Sequence, residues 1–381
     1  MAYTADQRAE LRRACTHFIS GHLPQKPGEE FIRMGEWCRD QRYEAGGGVG
    51  ADADVYGSGK LINHFETKVA RLLGKPAAVF MPSGTMAQQI AIRIFSDRAH
   101  LAVVGMHPTC HLELHEQKGY EFLHGLASWH VGDRSKPIVA MHIANLAQPI
   151  AALVLELPAR EIGGQLPTWD ELDAIKKVCR ERGIKLCLDG ARLWESQAFY
   201  APYQYADICA GFDSVYVSFY KGIGGMAGAM LLGEMDFITE ARLWQRRHGG
   251  NLVQQHPFVV STVMRFDERI ARMPAYYARA QQFAKAITRC EEITVNPKIL
   301  QANMLHLHFP VSVAALEAAR DQIAHADKYW LGNPRAALDV PGRSVMEIYV
   351  GESLMLLGDD VAVAQFTKLL TLARAIEAKN D

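Results

Sequence analysis

The sequence predicts an α/β fold built on a largely parallel sheet with helices on both faces. The main observation is an alternation between about residues 60 and 265, where short apolar runs give way repeatedly to amphipathic stretches of helical period. A second is Thr168 followed three residues later by Glu171, the signature of a capping box opening a helix. A third is the placing of Asp189 and Lys221 directly after apolar runs, where such sheets carry their ligand-binding residues.

Residues 1–45 read as charged and helical, an N-terminal arm ending at a flexible joint near Gly46-Gly47-Gly48. Strands are expected at 77–81, 101–105, 151–157, 184–188, 214–218 and 229–232. Helices are expected at 84–95, 168–182 and 234–247. The last third holds long helices and a few strands, around 304–309 and 345–350. The expected division is an arm over 1–50, a large domain over 51–265 and a smaller one over 266–381.

With 381 residues the chain is long enough for a large core and two domains. Its 41 basic and 42 acidic residues leave no basic excess to suggest nucleic acid. No apolar run approaches the roughly 20 residues that span a bilayer. The first residues lack the apolar core of a secretory signal, and their arginines are offset by Asp6 and Glu10. Seven cysteines are scattered without a Cys-x-x-Cys pair, which argues against a disulfide framework and a zinc site. No metal site and a cytoplasmic setting are therefore expected.

Val215 to Tyr220 is a β-branched and aromatic run leading into Lys221 and a glycine-rich turn. Burial disfavours an ammonium and lowers its pKa, leaving a nucleophilic amine that suits a carbonyl cofactor. On this stretch alone, a lysine that snorkels to water is the simpler reading. Asp189 changes the balance. It ends the buried run Leu186-Cys187-Leu188 and can pair with a pyridinium nitrogen, while Lys221 forms a Schiff base. An acid and a lysine at successive strand ends thus suit pyridoxal 5'-phosphate (PLP). Pro82-Ser83-Gly84-Thr85 lies between a strand and a helix, where backbone N–H groups and two hydroxyls make an anion cup. Alone it is an ordinary N-cap.

Together these runs resemble the threonine aldolase / β-eliminating lyase family, within the fold type I (aspartate-aminotransferase-like) PLP enzymes. The matching stretches are Val55-Tyr56-Gly57, Pro82 to Ala87, His111-Leu112-Glu113, Gly163-Gly164, Leu188 to Trp194 and Lys221 to Gly224. The resemblance implies a large PLP domain with a mostly parallel sheet and a smaller α+β C-terminal domain. It assigns Ser83, Gly84 and Thr85 to the phosphate, His111 to the face of the ring and Asp189 to its nitrogen. Lys221 becomes the Schiff-base residue, with Lys221, His111 and Asp189 as the catalytic set and His115 as the rival of His111. Arg192 is placed on the cofactor and the substrate carboxylate, and Arg246 on the phosphate, across a subunit interface. Tyr56 is placed on the substrate. A homodimer or homotetramer with shared sites is implied.

Four positions depart from the pattern. The early substrate-seating stretch has no clear counterpart near Ile32 to Glu36. Ala159 replaces the histidine that handles the substrate hydroxyl, and Tyr220 replaces a small serine before the lysine. Glu347 stands where a carboxylate-binding arginine is expected, leaving Arg343 as a substitute on a shifted register. The expected activity is cleavage of the Cα–Cβ bond of a β-hydroxy amino acid to glycine and an aldehyde. β-Elimination from another amino acid is the alternative, and a non-catalytic PLP-binding protein a remote one.

Overall fold

The computed structural model describes residues 3–40, 53–337 and 342–379. Two compact units emerge: one of residues 25–161 and 165–272, the other of 1–24, 162–164 and 273–381. The expected 1–50 arm is not separate, because its first 24 residues group with the C-terminal third. The expected boundary at 265 falls at 272 instead, inside the helix His256–Ile287 and next to its Pro274. The Gly46-Gly47-Gly48 joint lies outside the described residues.

In the larger unit seven strands form one sheet: β1 (Ala77–Met81), β2 (Val103–Met106), β3 (Ala127–His130), β4 (Ala152–Glu156), β5 (Lys185–Gly190), β6 (Ser214–Ser218) and β7 (Ala229–Gly233). Their order is β1-β7-β6-β5-β4-β2-β3. All neighbouring pairs are parallel except those of β7, which runs antiparallel to both β1 and β6. The carboxyl ends of the other six strands therefore share one edge. β6 and β7 are buried along their whole length, as expected of strands covered on both faces. Val79, Met81, Val154, Cys187 and Leu231 pack with Ile90, Ile94 and Phe95 of the helix Gly84–Ala99 in one core.

The sequence missed β3, whose residues are mostly exposed at the sheet edge and carry little apolar signal. The strand expected at 101–105 starts two residues later. The helix expected at 168–182 is Trp169–Glu181, and Thr168 Oγ1 accepts from Glu171 N at 3.2 Å. Only half of the capping box forms, because the Glu171 carboxylate accepts instead from the backbone of Ala140. The smaller unit holds a four-stranded antiparallel sheet that includes Met304–Phe309 paired with Ser344–Tyr349. Among the described residues no helix is long and apolar enough to cross a membrane.

Candidate active site

Three strand ends bring the chemistry together in the larger unit. β5 runs on through Asp189 to Gly190, so Asp189 lies within the strand rather than after it. It is 2% exposed, and its Oδ1 accepts from Ala191 N at 3.0 Å. Its Oδ2 is buried without a partner. A buried carboxylate oxygen left unsatisfied is costly, so it marks a place built for a donor.

Lys221 lies three residues past the end of β6, not at the strand end that its apolar run suggests. After Ser218 the chain closes a compact loop, in which Phe219 N donates to Gly228 O and Gly225 N to Phe219 O. A Cβ on Gly225 would meet Phe219 O and Thr262 Oγ1, so the loop closes only around glycine. Burial and the Arg192 guanidinium push the Lys221 amine down to about 8, against the upward pull of Asp189 and Glu156.

Two hydrogen bonds fix the Asp189 loop against the Lys221 loop. Trp194 Nε1 donates to Ser218 O at 2.9 Å, and Ser218 Oγ donates to Ala191 O at 2.7 Å. Trp194 is fully buried and meets Phe266 edge-on at 5.3 Å. Arg192 sits between these anchors, at the start of the short turn Leu193–Glu195.

β4 contributes a carboxylate that sequence reasoning missed. Glu156 pairs in register with Asp189, and its Oε1 accepts from Arg160 N at 3.0 Å. Burial first, and the charge of Asp189 second, push it up to about 8. Burial also raises Asp189, whereas Lys221 and the Ala191 N–H pull it down. Burial thus raises both members of this adjacent pair, which take up and release protons as a unit.

The anion cup follows β1. Ser83 caps the helix Gly84–Ala99, its Oγ accepting from Met86 N at 3.3 Å. Gly84 is required: a Cβ there would overlap the Tyr216 hydroxyl rising from β6. Thr85 is exposed beside it. The turn at Gly250 packs against the thioether end of Met86. That brings the end of the helix Met235–Arg247 to the same region, although Arg246 itself points to solvent.

After β2, His107 shapes the next loop. Its Nδ1 meets Thr109 Oγ1 at 2.8 Å, and its Nε2 meets the carbonyls of Asp133 and Lys136 at 2.7 and 2.9 Å. The loop delivers His111, whose Nδ1 lies 2.9 Å from Glu116 Oε1. Glu116 is buried and receives Gln88 and Gln89 from the cup helix at 3.4 and 3.3 Å. The ring of His115 stands 5.1 Å from that of His111. Glu116, Glu156 and Tyr216 were not singled out from sequence. Their partners lie on other elements, and only the five-residue spacing of Glu116 from His111 offers a local signal.

Tyr56 holds φ +50° and is 55% exposed. Its loop is fixed by Asp54, whose Oδ1 accepts from Gln255 N and His256 N at 2.7 Å, where the long helix begins. Arg343 belongs to the smaller unit. It is exposed in the turn before the strand Ser344–Tyr349, so the face-sharing argument for it within a strand does not apply. Glu347 lies on that strand, opposite His306.

Residues 41–310 match the family model described as "Beta-eliminating lyase". The chain is 36% identical to a Listeria monocytogenes protein provisionally assigned as an L-allo-threonine aldolase. The two superpose with a TM-score of 0.85 over 96% of this chain and 99% of that one. A protein from Exiguobacterium, provisionally assigned as an aromatic amino acid beta-eliminating lyase/threonine aldolase, is 39% identical with a TM-score of 0.84, over 95% and 99% of the chains. The low specificity L-threonine aldolase of Escherichia coli K12 is 28% identical over 239 residues, 61% of this chain and 71% of its own.

Proposed function

The chain belongs to the threonine aldolase / β-eliminating lyase family, and from that premise we propose that it cleaves the Cα–Cβ bond of a β-hydroxy amino acid, releasing glycine and an aldehyde. It is a PLP-dependent lyase of the aldolase type. The observation that best supports a resident PLP is the unpartnered Asp189 Oδ2, a buried acceptor matched to a protonated ring nitrogen. PLP, when bound, supplies an electron sink for the pair left on Cα.

The residues present fit that group. Ser83, Gly84 and Thr85 hold the phosphate at a helix start, with Arg246 as a further phosphate contact. Asp189 keeps the ring nitrogen charged, with Glu156, whose carboxyl burial pushes up to about 8, beside it on β4. His111, oriented by Glu116, covers the ring. Lys221 would hold the cofactor through its amine and would move protons at Cα. Arg192 offers a two-pronged donor to the substrate carboxylate.

We place the active sites at the interface of a homodimer or homotetramer, with Tyr56 and Arg246 reaching across. Tyr56 supports this, since an exposed aromatic held at positive φ carries strain of about 1 kcal/mol or more that its loop must maintain. All seven cysteines are free thiols, which supports a cytoplasmic setting.

Two measurements test the proposal. Purified holoenzyme incubated with threonine, allo-threonine, phenylserine and serine should yield glycine and the matching aldehyde from at least one of them. A keto acid and ammonia in their place would assign β-elimination, and no turnover of any substrate would leave only a binding protein. Mixing inactive Lys221→Ala chains with inactive Tyr56→Ala chains should restore activity in hybrid dimers. An active monomer at assay concentration would remove the shared-site part of the reading.

A further inference from the structure

We propose that His115, held by Glu161, is the base that takes the proton from the β-hydroxyl of the substrate, an inference that rests on the aldol-cleavage reading above. Breaking Cα–Cβ toward an aldehyde requires the hydroxyl to lose its proton as the carbonyl forms. The base must stand near the reacting centre and be held in one tautomer.

His115 has both properties. It ends the short helix His111–Leu114, and its ring stands 5.1 Å from that of His111, tilted by 45°. Its Nε2 lies 2.9 Å from Glu161 Oε1. The Glu161 side chain is 3% exposed and that of His115 38%, so the carboxylate lies inside and the imidazole on the open side. Arg160 Nη1 meets the same Glu161 oxygen at 2.9 Å and offsets the cost of burying its charge. With Nε2–H donated to Glu161, the lone pair of His115 resides on Nδ1, and the same carboxylate stabilises the imidazolium once a proton arrives.

The neighbouring elements single out this histidine. His111 has its own carboxylate, Glu116, which Gln88 and Gln89 tie to the cup helix, so that pair belongs to the cofactor wall. Glu161 comes from the turn after β4, the strand next to β2 in the sheet, where Ala159 is buried and offers no ionisable group. His115 thus links the loop after β2 to the loop after β4.

In the step, the O–H bond breaks and its proton goes to His115 Nδ1. The O–H electrons become the carbonyl π bond of the departing aldehyde, and the Cα–Cβ pair stays with Cα. Cα then gains a proton and His115 releases one, so the net proton count is zero.

The test compares two reactions of holoenzyme: cleavage of the β-hydroxy amino acid that the wild type turns over fastest, and exchange of the α-hydrogen of glycine for deuterium, which involves no hydroxyl. His115→Ala and His115→Phe should lose about 10²–10⁴-fold in kcat for cleavage. That loss should exceed any loss in glycine exchange by at least ~100-fold, with KM little changed. PLP affinity, read by quenching of tryptophan fluorescence in the apoprotein, should stay within about two-fold. Glu161→Gln should lose cleavage in the same selective way but less severely. Wild-type cleavage in either His115 variant would overturn the inference, as would equal losses in both reactions together with weakened PLP binding. If the wild type cleaves no β-hydroxy amino acid, the aldol reading itself fails, whatever the variants do.

Discussion

Lys221→Ala is expected to lower kcat by roughly 10⁴-fold or more, the scale seen when a covalent nucleophile is removed. The variant should still collect PLP through the cup and Asp189, yet borohydride should no longer fix it to the protein. The cause is local. Burial and Arg192 bring the amine to about 8, so an appreciable neutral fraction exists near physiological pH. A lysine with its ordinary pKa of about 10.4 would be almost wholly charged there and inert toward an aldehyde. As pH rises through about 8 the neutral fraction passes one half, and it saturates above that. Capture of PLP by wild-type apoprotein should therefore accelerate with pH and level off above about 8. Trapping of the cofactor on another lysine in the variant would refute the assignment, and a flat capture profile would refute its electrostatic basis.

Asp189→Asn should leave PLP bound and cost about 10²–10³-fold in kcat, comparable to removing one well-placed electrostatic partner from a buried site. The amide keeps the volume and can still accept from Ala191 N through its oxygen, so the strand end persists. Its second position cannot carry the negative charge that keeps a ring nitrogen protonated. The substitution also relieves Glu156 of an anionic neighbour, leaving burial as the main cause of its raised pKa. Unchanged kcat with PLP still bound would show that Asp189 serves only the turn. Loss of PLP would instead make it an anchor rather than an electronic partner.

Much of the sheet was legible because its strands are buried on both faces. Runs such as Val215-Tyr216-Val217 have no solvent face to dilute their apolar signal. The exposed edge strand β3 has that dilution and left no trace. Lys221 was expected at a strand end but lies three residues beyond it, since Phe219-Tyr220 carry the same β-propensity whether the ladder continues or not. The ladder stops where Phe219 N turns to Gly228 O, a partner that no local window reveals. Glu171 was misread for a similar reason: its carboxylate has a better donor in Ala140, 31 positions away. In the site, residues with a motif around them (Ser83, Asp189, Lys221) could be named from sequence. Glu116, Glu161 and Tyr216 act through partners on other elements. Arg343 was read as a strand residue on the strength of parity alone, which has no force in a turn.

The bonds from Trp194 to Ser218 and from Ser218 to Ala191 join two strand ends of the sheet, whereas His111 and Glu161 lie on short helical turns between strands. A change in the sheet clamp is expected to disturb every reaction the scaffold can run, whereas a change in these turns is expected to alter which substrate side chain is accepted and to leave the scaffold intact. Such a scaffold can pass between substrates by loop exchange, which makes the turn after β4, and not the lysine strand, the place to graft when a new aldehyde product is wanted.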